Sequence, residues 1–86
     1  MKNPINIEVT IRFYEAVNFL IGNGKIRGKQ TYCNLAGIDK RAYYRQESDK
    51  EASLIQFFWI IPLVTEFNIN AKWLLTGKGS MFEKVR

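Results

Sequence analysis

The sequence predicts an all-α fold, a compact bundle of about five helices containing a helix-turn-helix. Three observations carry this reading. Apolar residues between Phe13 and Ile21 recur at spacings of three and four, the period of a helix with one buried face. The segment KQTYCNLAGIDKRAYYRQ, residues 29–46, reads as two short helices joined by a tight turn at Gly37. A chain of 86 residues with 47% hydrophobic side chains can fill one core, so residues 1–86 are expected to form a single domain.

Residues 1–9 alternate polar and apolar around Pro4 and are expected to be a flexible arm or a short extended segment. Thr10 is expected to cap the first helix, which buries Phe13, Ala16, Val17, Leu20 and Ile21 and leaves Arg12, Glu15 and Asn18 outside. That helix should end between Gly22 and Gly24. A second helix, from about residue 29 to 36, buries Tyr32, Cys33 and either Leu35 or Ala36.

Cys33 stands where the next helix crosses closely, so a small side chain is required there. Gly37 takes a positive φ at no steric cost, Ile38 fills the wedge, and the Asp39 carboxylate accepts orphan backbone N–H groups of the following turn. The third helix then runs to about Ser48 with Ala42 and Tyr43 inside. Lys40, Arg41, Tyr44 and Arg45, at i, i+1, i+4 and i+5, share its outward face.

Residues 54–67 form an apolar stretch long enough for a fourth helix, and Pro62 in its middle predicts a kink or a restart. The five apolar residues 57–61 sweep about 400° of helix surface, more than one core-facing stripe can hide. They fit a central helix covered on all sides or a subunit interface, and the sequence leaves both open. Asn70 caps a last helix through Leu75, closed by Thr76 and Gly77, with Trp73 and Leu74 as anchors and Met81 and Phe82 completing the packing.

The formal net charge is +5, and its distribution says more than its size. Between Gly24 and Gln46 lie Lys25, Arg27, Lys29, Lys40, Arg41 and Arg45 against one acid, Asp39. The rest of the chain is neutral, so the excess sits where two short helices and a turn would meet phosphate. Duplex DNA is the partner this implies: Lys and Arg reach phosphates or guanine acceptors, and Tyr44 reaches a phosphate or a thymine methyl.

Several chemistries are disfavoured. One cysteine and no histidine exclude an intramolecular disulfide and any ordinary Cys/His zinc site, and they remove the commonest general base. Cys33 reads as an inert core thiol. The run IGNGKIRG lacks the strand and the Lys-Ser/Thr of a phosphate-binding loop. No cofactor is implied, no enzyme is expected, and no stretch suggests a membrane span. Glu8, Arg12 and Glu15 interrupt the first twenty residues, so a signal peptide is not expected and the cytoplasm is the expected location.

KQTYCNLAGIDKRAYYRQ resembles the helix-turn-helix of the phage repressor family, the Cro and lambda-repressor-like or XRE-type proteins, and FNINAKWLLTGKGSMF resembles a closing helix and tail of many short members. The two matches together span most of the chain from Phe13 to Phe82. The resemblance implies a bundle of about five helices that binds duplex DNA, usually as a two-fold dimer on a palindromic operator. By position it makes Lys29 and Gln30 phosphate anchors and turns Lys40, Arg41, Tyr44 and Arg45 to the groove.

The chain departs from the family pattern at Gly28, Tyr32, Tyr43 and Gln46, and in the acidic run Glu47, Asp49, Glu51. The expected function is a sequence-specific transcriptional regulator, a repressor. The alternative is an antitoxin or adaptor that binds a partner protein through residues 57–61. A homodimer is expected through exposed members of that run, Trp59 foremost, or through residues 81–86.

Overall fold

The computed structural model describes residues 4–83. Among them are five helices: α1 (Pro4–Gly22), α2 (Lys29–Ala36), α3 (Lys40–Ser48), α4 (Phe57–Thr65) and α5 (Ala71–Thr76). The expected all-α bundle is what the chain forms. The only pairing of extended segments among these residues is an isolated antiparallel bridge between Ile69 and Phe82. No helix among them is long and apolar enough to cross a membrane.

α1 corrects the expectation of an arm. Residues 1–3 lie outside the described residues, but 4–9 are helical, and Pro4 occupies the first helical position. Proline suits that place because its missing N–H has no intrahelical partner there and its φ is already helical. Thr10, expected as the cap, is buried inside the helix and donates its Oγ1 hydrogen to the Asn6 carbonyl at 2.8 Å. Arg12, expected outside, is largely covered: its Nε donates to the Leu74 carbonyl at 2.8 Å and satisfies the C-terminal end of α5.

The core is built on aromatic rings. Phe13, fully buried, has ring centroids of Tyr14, Tyr32, Tyr43 and Trp59 at 4.9, 5.8, 6.1 and 6.2 Å. Most of these contacts are edge-on or tilted, the geometries that ring quadrupoles favour. The Tyr14 hydroxyl donates to the Tyr43 carbonyl and the Tyr32 hydroxyl to the Trp59 carbonyl, so the rings tie α1 to α3 and α2 to α4.

α4 is shorter than the apolar run and continues through Pro62 instead of restarting there. Trp59 is only 3% exposed and stacks on Tyr43 at 6.3 Å, which corrects its assignment to an interface. Trp59 and Leu63, four residues apart, form the buried stripe, whereas Phe57, Phe58 and Ile61 point away from it. α5 follows expectation. The Asn70 Oδ1 accepts from the Lys72 N–H at 3.0 Å, and Gly77, in the left-handed region, donates to the Trp73 carbonyl at 2.7 Å. Met81 and Phe82 are half-buried against the core, and the Phe82 ring meets Phe19 at 5.6 Å. Residues 84–86 of the suggested interface tail lie outside the described residues.

Candidate nucleic-acid interface

α2 and α3 meet across three residues whose roles follow from size and backbone geometry. Gly37 has φ 74° and ψ 31°, and both its N–H and that of Ile38 are directed to the Cys33 carbonyl. These bonds satisfy the end of α2 while the chain reverses. Cys33 and Ile38 are buried in the wedge, and Asp39 Oδ2 accepts from the Ala42 N–H at 3.3 Å. Burial pushes the Cys33 thiol up, with the Asp39 charge adding to the rise and Lys40 opposing it. The thiol therefore stays protonated at neutral pH, which suits a packing role. Of the two alternatives at the end of α2, Ala36 is the half-buried one and Leu35 is 51% exposed.

α3 is held by its inner face. Tyr43 is fully buried, and so is Gln46, which occupies the place where the family resemblance anticipates an apolar side chain. Gln46 Nε2 donates to the Asp49 carbonyl at 3.0 Å, and its Oε1 accepts from the N–H groups of Leu54 and Ile55 at 2.7 and 3.1 Å. One side chain thus fixes the loop between α3 and α4 and keeps residues 54–56 out of the helix that was expected to begin there.

Lys40, Arg41, Tyr44 and Arg45 all lie on the exposed side of α3. Lys40 Nζ reaches Gln30 Oε1 at 3.5 Å, which joins the start of α3 to the exposed start of α2. Arg41 and Arg45 make no ion pair among the described residues, and neither do the exposed Lys25 and Arg27. The opposite holds for Lys29, half-buried and paired through Nζ with Glu47 Oε1 at 2.8 Å. Asn18 Nδ2 donates to the other Glu47 oxygen at 3.4 Å, and Lys29 Nζ stands 5.6 Å from the centre of the Tyr44 ring.

The pairing of Glu47 with Lys29 has no signal in the sequence. Glu47 lies eighteen residues from Lys29, too far for any helical spacing to signal the contact. Lys50 also belongs to this end of α3, where its Nζ donates to the Glu47 carbonyl and sits 5.1 Å from the Tyr14 ring centre. Glu47 thus neutralises Lys29 internally, while the outward side of α3 stays cationic. Comparison with protein-family models, with curated proteins and with solved structures finds no match to this chain.

Proposed function

We propose that this chain is a sequence-specific duplex-DNA-binding regulator, a cytoplasmic repressor that acts as a dimer on a palindromic operator and carries no catalytic step. The observation that supports it best is the pairing of a locked inner face of α3, Tyr43 and Gln46, with an outward face of Lys40, Arg41, Tyr44 and Arg45. A rigid helix with free guanidinium groups suits the major groove, where Arg binds the two acceptors of guanine. Gln30 and Lys40 would meet the phosphate backbone. Lys29 would do so only after exchanging Glu47 for phosphate. Two such helices about 34 Å apart would read successive turns of one face of the duplex and block polymerase at an overlapping promoter.

Selection of bound sequences from a random duplex pool tests the proposal, with a palindromic consensus as the expected result. A pool that never enriches overturns it. A second reading, an antitoxin or adaptor that binds a partner protein, is favoured by the exposure of Phe57 and Phe58 on α4.

A further inference from the structure

An open cleft lies away from the cationic face. It occupies about 930 Å³ between the first turns of α1, the loop after α3, the start of α4 and Leu75. Ile5, Val9, Ile55, Phe58 and Ile60 are among its lining residues, and Phe57, 83% exposed, stands at its edge. None of the six residues assigned to DNA lines it.

On the wheel of α4, Phe57, Ile61 and Phe58 fall at roughly 0°, 40° and 100°, opposite Trp59 and Leu63 at roughly 200° and 240°. The outer stripe is therefore continuous with the cleft, and it lies on the opposite side of α4 from the core.

We infer that this surface is where a second copy of the chain docks, with Phe57 of each copy entering the cleft of the other. Three features of the surface favour a second copy. Knob and cleft belong to the same face, the self-complementarity that a two-fold interface requires. Among the described residues the charged members of the lining are one cation, Lys50, and one anion, Glu51, whose charges cancel, while the segment proposed to face DNA is strongly cationic. The exposed fractions of Ile5, Phe57, Phe58, Ile61 and Leu75 leave on the order of 500 Å² of apolar side chain. At the roughly 65% apolar content of homodimer interfaces, this corresponds to about 770 Å² per subunit, close to the ~800 Å² of a standard stable interface. The inference extends the dimer in the function proposed above by giving it a surface.

Sedimentation without DNA, from about 1 µM to about 1 mM chain, tests it. The parent should dimerise, and Phe57→Lys should weaken association at least about thirtyfold while leaving the thermal melt of dilute protein unchanged. Leu35→Lys, which alters an exposed apolar residue outside the cleft, should leave association intact. A parent that stays monomeric at the highest concentration overturns the inference and leaves the cleft to a different protein. A dimer insensitive to Phe57→Lys, or one dissolved by Leu35→Lys, overturns it as well. A dimer that enriches no DNA would overturn the DNA reading and leave this interface standing, and a monomer that enriches a single half-site would do the reverse.

Discussion

Three buried tyrosines carry similar rings in unequal hydrogen-bonding positions. Tyr14 and Tyr32 donate to carbonyls, whereas the Tyr43 hydroxyl, equally buried, has no partner among the described residues. Replacing Tyr43 by Phe should therefore change stability by less than about 0.5 kcal/mol or raise it by up to about 1 kcal/mol. The same change at Tyr14 or Tyr32 should cost about 0.5 to 1.5 kcal/mol, because it removes a buried hydrogen bond to a helix carbonyl. Denaturant titration of the three variants checks this, and an equal loss at all three would refute it. Burial also pushes all three phenols above their ordinary value. The folded state thus favours the neutral form. Its contribution to stability is complete below about pH 10 and is lost as pH rises toward the folded pKa values. Unfolding free energy followed upward from neutral pH should decline above about pH 10, by up to about 1.4 kcal/mol per pH unit for each buried phenol. At the cationic face, Arg41→Ala and Arg45→Ala should each weaken specific DNA binding by about 1 to 3 kcal/mol without moving the melt, since neither guanidinium has an ion-pair partner among the described residues. Filter binding to the selected sequence reads the first quantity and calorimetry the second.

At the scale of elements, the sequence was most legible where structure is set within a few residues. Gly37, Asp39, Asn70 and Gly77 act as turns and caps at the positions expected from their local chemistry. The start of α1 was misread because an alternating pattern resembles an arm until Pro4 is placed at the first helical position. The direction of Trp59 and the pairing of Lys29 with Glu47 were not legible, because each depends on a partner brought close only by folding. Gln46 shows the same limit. A polar residue at a core position reads as a defect until the loop that it serves has a path. Gln46→Leu should leave the Leu54 and Ile55 N–H groups without their acceptor and cost about 2 to 4 kcal/mol. Hydrogen exchange should show the loss concentrated at residues 49–56. Protection unchanged at Leu54 and Ile55 would mean that the loop is held by something else.

For the whole molecule, the separation of a cationic face from an apolar cleft would make the proposed dimerisation and the proposed DNA binding separable. The principal extents are 41 × 27 × 20 Å, so the centres of two touching copies lie within a range that includes the ~34 Å repeat of a DNA turn. Ionic strength reads out the electrostatic half of this design. If each subunit neutralises about three or four phosphates, a dimer should show a log–log salt slope near −5 to −7. Lys29 is not free to add to that count while Glu47 holds it at 2.8 Å. Glu47→Gln removes the charge that retains Lys29 and preserves the shape of the side chain. The variant should bind all DNA sequences more tightly at low salt and steepen the slope by about 2 per dimer, one added contact per subunit. The ratio of affinities between sequences should stay the same, because a phosphate contact strengthens every sequence alike. Binding isotherms for parent and variant over a salt series test this. An unchanged slope in a variant that still binds would show that Lys29 reaches phosphate without leaving Glu47, or never reaches it.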